Sequence, residues 1–337
     1  MILLKWRVFS VALVLAISVL APGLTKAQDA QSMTQIPLGS GGGGGAQTMS
    51  IGGATLDGEA SGTSTTTAGT AGPEAIAFDG TYVWVATQFN NSITRVRVSD
   101  GAVSGTFVVG KRPVALLYAA SYIWVANLLS NTVTKLNPST GAIAATYNVG
   151  DGPGGLAFDG SSIWVANRNN NTVTKLSTKG STLGTFAVGK RPIGMAFAEG
   201  SIWVANNFSN TVTRLSTAGA VTGTYDVGRG AFGVAAEGDN VWVTNYFDKT
   251  VTKLRAADGF NLGTFKVGDG ASGIGFDGTN LWVVNNGDST VMKINPSSGS
   301  IIATYATGKG PFSVAFGGSK VWVPNFGSNS VSTTATN

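Results

Sequence analysis

From residue 73 onwards, short apolar stretches alternate with turn sequences in a fixed order. Each unit holds an apolar run ending in an aromatic residue, an Asp-Gly or Glu-Gly turn, a tryptophan-centred run, a polar turn, a TVTKL-like run and a GT(F/Y)xVG run. Short apolar runs separated by Gly, Asn, Asp and Pro are typical of β-strands joined by turns. The unit therefore predicts four short β-strands and no helix.

The tryptophan of the second run marks the period of the repeat. Its members are spaced 40, 40, 39, 39, 40 and 40 residues apart. Four strands in a unit of this length form the blade of a β-propeller, in which each blade buries its faces by packing on the next. The predicted fold class is all-β, a seven-bladed β-propeller with four antiparallel strands per blade. The tryptophans are predicted to pack between blades, and they are Trp84, Trp124, Trp164, Trp203, Trp242, Trp282 and Trp322.

The seventh repeat is one strand short, because no GT(F/Y)xVG run follows its NSVSTT segment. An unpaired edge would leave the ring open, so a strand from before residue 73 is predicted to close it. Residues 63–69 are favoured because they adjoin the first blade. Residues 48–52 match the outer-strand sequence better but leave a loop of about twenty residues, longer than compact domains usually contain.

The first 72 residues divide into two further segments. Residues 1–27 have Lys5 and Arg7, an apolar run and small residues up to Ala27, the pattern of a cleaved secretory signal peptide. The apolar run is shorter than the roughly 20 residues that cross a bilayer. Residues 28–72, rich in Gly, Ser and Thr, predict a linker with a possible ring-closing strand. We therefore expect a secreted or periplasmic protein, with no membrane span after cleavage and the propeller at 73–337.

The amino-acid composition excludes several classes of catalytic site, metal site and partner. The chain has 48 Gly, 12% charged residues, no His and no Cys, which excludes His- or Cys-based nucleophiles, His-containing zinc sites and disulfides. We expect no cofactor and no metal. Without residues 1–27, 19 bases face 17 acids, too even a balance for a sequence-independent nucleic-acid binder. The expected partner is a protein or glycan of the cell envelope, bound by a monomer.

One face of the propeller carries the most variable loops, those leading into each innermost strand and those between the second and third strands. The former hold six bases against two acids. Bases beside exposed aromatic rings suit an anionic or sugar-containing ligand, although charged loops also serve solubility alone. The predicted ligand-binding residues are Lys111, Arg112, Arg168, Lys190, Arg191, Phe208, Arg229, Tyr246, Lys309 and Phe326.

Two periodic polar rows have simpler interpretations. The Asn that ends WVAN is predicted to form a turn by bonding its own backbone. The Lys or Arg of the TVTKL run alternates with apolar residues, so it is predicted to lie on a solvated face that protects the strand edge.

The strings WVANxxxNTVTKLNPSTG (124–141) and AFDGSSIWVANRNNNTVTKL (157–176) resemble the YVTN-type propeller repeat. The AFDG and WVAN pairing also resembles the virginiamycin B lyase-like propellers. The resemblance covers residue 73 to the C-terminus and implies a seven-bladed, often extracytoplasmic propeller, usually a binding module. The lyase resemblance implies ring-opening elimination of a cyclic depsipeptide ester using His, Glu and magnesium, and this chain has no His for that role.

Three functions follow as hypotheses. The first is a binding or scaffold module that recognises a protein or glycan on its loop-rich face. The second is a lyase or hydrolase that depends on carboxylates such as Asp151, Asp248, Asp269 or Asp288. The third is a purely structural envelope protein. The lack of His and Cys favours a protein without catalytic activity over an enzyme.

Overall fold

The computed structural model describes residues 31–38 and 71–336, and this part of the chain forms seven antiparallel sheets of four blade strands each. Two 3₁₀ helices, Gln88–Asn90 and Phe326–Ser328, are its helical elements. In the described ranges no helix is long and apolar enough to cross a membrane. The predicted fold class, a seven-bladed propeller with four antiparallel strands per blade, is confirmed.

The strands follow one another along the chain blade by blade. Two strands precede the blades, β1 (Gln31–Ser32) and β2 (Thr34–Pro37). The first blade contains β3 (Pro73–Phe78), β4 (Tyr82–Thr87), β5 (Ser92–Arg97) and β6 (Val103–Val108). The second contains β7 (Pro113–Ala119), β8 (Tyr122–Asn127), β9 (Thr132–Leu136) and β10 (Ile143–Asn148). The third contains β11 (Pro153–Phe158), β12 (Ser162–Asn167), β13 (Thr172–Ser177) and β14 (Thr182–Ala187).

The remaining blades repeat the order. The fourth contains β15 (Pro192–Ala198), β16 (Ser201–Asn206), β17 (Thr211–Ser216) and β18 (Val221–Asp226). The fifth contains β19 (Ala231–Glu237), β20 (Asn240–Asn245), β21 (Thr250–Arg255) and β22 (Asn261–Lys266). The sixth contains β23 (Ala271–Phe276), β24 (Leu281–Asn285), β25 (Thr290–Ile294) and β26 (Ile301–Ala306). The seventh contains β27 (Ala315–Gly317), β28 (Lys320–Asn325) and β29 (Ser330–Ala335), with β2 as its outermost strand.

The tryptophan of each second strand packs between neighbouring blades, as predicted. All seven are fully buried. Trp124 of the second blade, for example, shares a cluster with Ile163 and Leu176 of the third, and it stacks on Tyr147 with ring centroids 6.0 Å apart. In the first blade, Asp79 of the Asp-Gly turn accepts a hydrogen bond of 2.7 Å from the indole of Trp84. The apolar faces thus hold the ring together, because no blade buries its own faces alone.

The basic row of the third strands does not lie on a solvated face, so that prediction is wrong. Each side chain crosses to the next blade and donates to a backbone carbonyl at 2.6–2.9 Å, as Lys175 does to Thr217. Each also lies 5.0–5.7 Å from a tryptophan ring centroid of its own blade. The row therefore links adjacent blades through a hydrogen bond and a cation–π contact. Its members are Arg95, Lys135, Lys175, Arg214, Lys253 and Lys293.

The strand that completes the seventh blade is Thr34–Pro37, which pairs antiparallel with β29. A strand from the segment before residue 73 was expected, but neither candidate occupies this position; residues 63–69 and 48–52 lie outside the described residues. Met33, between β1 and β2, and Leu38, after β2, are buried, and β1 pairs in parallel with β26 of the sixth blade. The N-terminal segment thus spans two blades, and two short pieces of the predicted linker belong to the propeller.

Candidate functional site

Two sets of loops surround one end of the channel, and together we call them the channel mouth. Inter-blade loops lead into the innermost strands, and middle loops join the second and third strands. Asn131 of a middle loop is left-handed, with φ of 55°, and its side-chain oxygen accepts a hydrogen bond from the backbone of Gly152 in the next inter-blade loop. Asn91, Asn171 and Asn210 accept from the equivalent residue of their next loops, and Asn329 accepts from the backbone of Ala71, one residue earlier. The mouth is therefore a set of cross-linked loops.

The Asn that ends each WVAN string is structural, but it does not bond its own backbone as predicted. Asn127 is fully buried and donates to the hydroxyls of Thr132 and Thr134 on the next strand at 3.1 and 2.8 Å. The same pattern recurs in Asn167, Asn206 and Asn245. This row supports the base of the middle loops and is closed to ligand.

Arg112 and Arg191 depart from the repeat. Both have left-handed backbones, with φ of 54° and 53°. The corresponding residue of the other five inter-blade loops is a glycine with positive φ: Gly72, Gly152, Gly230, Gly270 and Gly310. Residues with a Cβ lose roughly 1–2 kcal/mol in this conformation, whereas glycine adopts it freely. The second and fourth blades therefore carry an arginine at a position where the fold favours glycine.

Both arginine side chains are held in place. Arg112 Nε donates a 2.7 Å hydrogen bond to the side-chain oxygen of buried Gln88. The guanidinium of Arg191 lies 4.5 Å from the ring centroid of Phe208, which is 58% exposed. The hydrogen bond to Gln88 uses only the Nε of Arg112, so the two terminal guanidinium nitrogens of Arg112 are available to an anion.

Arg168 lies between these two arginines, on the middle loop of the third blade, and lines the channel. Gly154 makes room for it, since a Cβ at residue 154 would collide with the Arg168 Nε. One terminal nitrogen donates to the Gly154 carbonyl at 3.3 Å, while the buried Nε has no hydrogen-bond partner in the described part of the chain. Burial lowers the pKa of Arg168, and the charges of Arg191 and Arg112 lower it further, against Glu74, which raises it.

Glu74 is a channel residue that the sequence analysis did not single out. It is the extra residue of a one-residue bulge, because Pro73 pairs with Thr87 and Ala75 with Ala86. Bulges redirect side chains, and Glu74 lines the channel with Arg168. Burial raises the pKa of the Glu74 carboxyl, against the charges of Arg168 and Arg112, which lower it. No residue within 31–38 and 71–336 makes a hydrogen bond or close ion pair with that carboxyl.

Aromatic rings occupy the opposite half of the mouth. Phe326 lies 5.4 Å from Phe89 and 5.9 Å from Phe312, measured between ring centroids. Phe312 lies 6.3 Å from Phe232, whose ring is 6.0 Å from that of Tyr246. This aromatic chain joins the first, seventh and fifth blades and faces the three arginines of the second, third and fourth. The mouth thus has a cationic half and an aromatic half.

The structure places the ten predicted residues in three parts of the mouth: the cationic half, the aromatic chain and the exposed rim. Arg112, Arg168, Arg191 and Phe208 meet in the cationic half, and Tyr246 and Phe326 belong to the aromatic chain. The other four lie on the exposed rim, where Arg229 forms a 2.7 Å ion pair with Asp248. These rim residues are Lys111, Lys190, Arg229 and Lys309.

The sequence analysis missed Glu74, Phe232 and Phe312. Glu74 and Phe232 are the second residues of their innermost strands, and Phe312 is the equivalent residue of the seventh repeat, three residues before β27. In the other blades this residue is Val114, Gly154, Ile193 or Ser272. Aligning the seven repeats at that residue shows one charged member and two aromatic ones. That signal was present in the sequence, but its meaning depends on the bulge that turns this position towards the channel.

Three of the four aspartates proposed for catalysis are engaged in the mouth loops, whereas the fourth, Asp151, is exposed. Asp248 accepts a backbone hydrogen bond from Arg229, and these contacts with Arg229 lower the pKa of the Asp248 carboxyl. Asp288 accepts one from the backbone of Asp269, whose own carboxylate pairs with Lys249 at 3.0 Å. Among the described residues, no group of three or more acidic side chains is placed to hold a metal ion.

A second cavity, of about 470 Å³, lies near β2 on the opposite face. Its charged members already have partners: Asp100 pairs with Arg97 at 2.9 Å, and Lys320 donates to the Val98 carbonyl at 3.4 Å. The channel, at about 270 Å³, is smaller but is lined by two charged side chains, Glu74 and Arg168, and the buried Nε of Arg168 has no partner in the described part of the chain. The channel mouth is therefore the candidate site.

Comparison with known proteins defines the class by fold. No protein-family model matches the chain, and no curated protein matches it. A streptogramin B lyase structure is 18% identical with a TM-score of 0.70, covering 79% of this chain and 94% of that one. The virginiamycin B lyase from Staphylococcus aureus is 17% identical with a TM-score of 0.70, covering 79% and 96%.

A third solved structure, the hydrazine synthase from Kuenenia stuttgartiensis, is 18% identical with a TM-score of 0.72 and covers 84% of this chain and 99% of that one. The chain thus shares the seven-bladed propeller fold of the virginiamycin B lyase-like proteins, and this part of the expected resemblance is confirmed. The likeness to YVTN-type repeats stays a prediction.

Proposed function

We propose that this protein is an extracytoplasmic binding module whose channel mouth binds an anionic partner, protein or glycan. The observation that carries the proposal is the left-handed backbone of Arg112 and Arg191, where five other repeats have glycine. Backbone conformations that cost free energy are concentrated at functional sites. Three guanidinium groups against one carboxyl give this half of the mouth a net positive charge, and Arg offers paired donors to carboxylate, sulfate or phosphate.

The other two hypotheses have less support. A purely structural propeller gains nothing from a half-buried Glu74 and Arg168 in its channel, since removing charge from water is costly. Three of the four carboxylates considered for a lyase or hydrolase are engaged in the loops. A catalytically inactive histidine-to-alanine variant of the Staphylococcus aureus lyase has been solved with quinupristin, and this chain contains no histidine.

The test is retention of the purified protein on matrices carrying short polygalacturonate fragments, dextran sulfate, polyglutamate or neutral dextran. We expect retention on at least one anionic matrix at low salt, loss at high salt, and no retention on dextran, because salt screens exposed charges. The double variant Arg112→Gly, Arg191→Gly should lose retention. Lys179→Ser is the matched control, since Lys179 is exposed on the opposite face of the third blade. Equal retention of the double variant would contradict the proposal.

A further inference from the structure

The channel is small, and its charged side chains lie together in one place. Its volume is about 270 Å³, at or below the lower end of the roughly 300–1,000 Å³ of sites that enclose a drug-sized ligand. Its charged lining residues are Glu74 and Arg168. The other polar side chain of the lining is Ser313, whose hydroxyl donates to the Glu74 backbone carbonyl at 2.8 Å, and the remaining lining is apolar or glycine. A ligand entering from the mouth therefore places one compact group, not a long chain, beside these two side chains.

The charges decide which polar groups that compact ligand carries. Arg112, Arg168 and Arg191 act together electrostatically, and Glu74 supplies the single opposing charge. An ammonium group beside Glu74 would also meet the charges of Arg168 and Arg112, so a zwitterionic ligand is disfavoured. A carboxylate on the arginines satisfies the unpartnered Arg168 Nε, and a neutral hydrogen-bond donor on the same ligand is suited to the Glu74 carboxyl that lines the channel.

The aromatic half supplies the remaining surface. Phe232 and Phe312 line the channel itself, and Phe326 and Tyr246 extend the row outward. Their faces suit a flat, partly apolar ring. Carboxylate, several hydroxyls and a ring with an apolar face occur together in a hexuronic acid. An acidic peptide has the carboxylates but lacks the ring and the hydroxyls.

We propose that the channel mouth binds the terminal residue of an acidic polysaccharide, a hexuronic acid. Its carboxylate lies on Arg168 and the flanking Arg112 and Arg191, its hydroxyls donate to Glu74, and its ring packs on the aromatic chain. This inference rests on the proposed function, because it specifies which anionic ligand the same site takes.

The experiment is calorimetric or NMR titration of the purified protein with D-galacturonate, its trimer and its hexamer, and with D-galactose as the neutral match. We expect galacturonate to bind at least about tenfold more tightly than galactose, because one charged hydrogen bond accounts for that factor. The monomer, trimer and hexamer should bind within about threefold of one another, since only a terminal residue enters. Affinity that rises steeply with length would overturn recognition of the terminus.

Variants taken from the equivalent residues of other repeats test the assignments with the least risk to folding. Arg168→Asn copies Asn207, and Glu74→Val copies Val114. Arg168→Asn should weaken galacturonate binding about tenfold or more. Glu74→Val should weaken galacturonate binding, because it removes the acceptor for the sugar hydroxyls. It should not weaken retention on polyglutamate, because it also removes the one negative charge that opposes the arginines. Unaltered galacturonate binding by both variants would overturn the inference, and Lys179→Ser again serves as control.

The failures of the two proposals are distinguishable. Retention on polyglutamate or dextran sulfate without galacturonate binding overturns the sugar inference and leaves the proposed function standing. Retention on no anionic matrix, together with no galacturonate binding, overturns both. Equal binding of galactose and galacturonate overturns the carboxylate assignment.

Discussion

The interfaces between blades and the channel mouth follow opposite rules. At the interfaces every repeat keeps its buried tryptophan. The basic row of the third strands joins six pairs of neighbouring blades through hydrogen bonds of nearly equal length. At the mouth, equivalent positions hold residues as different as Glu74 and Phe312, or Arg168 and Phe326. Seven-fold similarity is what closing the ring requires. Residues of the mouth that depart from this similarity, at a cost in free energy, indicate the position of a functional site.

The closing segment gives the largest expected effect. Deleting residues 31–38 removes β1 and β2 and the buried side chains of Met33 and Leu38. The seventh blade then keeps an open edge, so the loss of unfolding free energy should exceed that of any single truncation. Thermal unfolding by circular dichroism measures it. An unchanged melting temperature would show that the ring does not depend on this strand.

Truncating a tryptophan at an interface between blades should give the second-largest loss of stability. Trp164→Ala leaves a cavity between the third and fourth blades, where Trp164 packs with Ile202 and Val204. The expected loss is about 3–5 kcal/mol, measured by denaturant unfolding. Phe208→Ala, at an exposed ring of the mouth, is the comparison and should change stability little. Similar losses for the two variants would erase the distinction between interface and mouth.

Replacing a left-handed arginine of the mouth by glycine should raise the free energy of unfolding, whereas the two changes above lower it. Arg191→Gly relieves the backbone and keeps its hydrogen bond to Asn171. Arg112→Gly keeps the bond to Asn91 but should gain less, because it also removes the Nε hydrogen bond to buried Gln88. The relief of roughly 1–2 kcal/mol is partly offset by the greater freedom of glycine when unfolded, which leaves a gain of about 0.5–1 kcal/mol. Melting temperature and anion retention should therefore move in opposite directions. A variant that loses stability would remove the argument from backbone cost.

The smallest effect is the pH dependence from Glu74. Its pKa is raised above the ordinary 4.5 by burial, so below about 4.5 the carboxyl is protonated in both the folded and the unfolded chain. As pH rises, the unfolded chain ionises first and the folded state loses relative stability, until Glu74 also ionises when folded. The advantage of Glu74→Gln in melting temperature should grow from pH 4 upwards and then level off. A constant difference would show that the carboxyl is not desolvated.

The fold was predictable because its causes are local and repeated. Each unit carries its own turn residues, alternation and tryptophan, so seven copies define the blades without knowledge of any long-range contact. The closing strand was misplaced for the opposite reason. Thr34–Pro37 resembles no outer strand, and its pairing with β29 joins residues about 300 positions apart, a choice that depends on ring geometry and the burial of Met33 and Leu38.

By itself, the sequence determined the number of blades, the role of the tryptophans and the face that carries the arginines. Only the tertiary structure decided that Arg168 and Glu74 share the channel, with the charges of Arg112 and Arg191 acting on Arg168, while Lys309 and Arg229 stay on the rim. The periodic pattern fixes what each residue does within its own blade. The bulge at Glu74, the space above Gly154 and the curvature of the ring determine which residues of different blades meet.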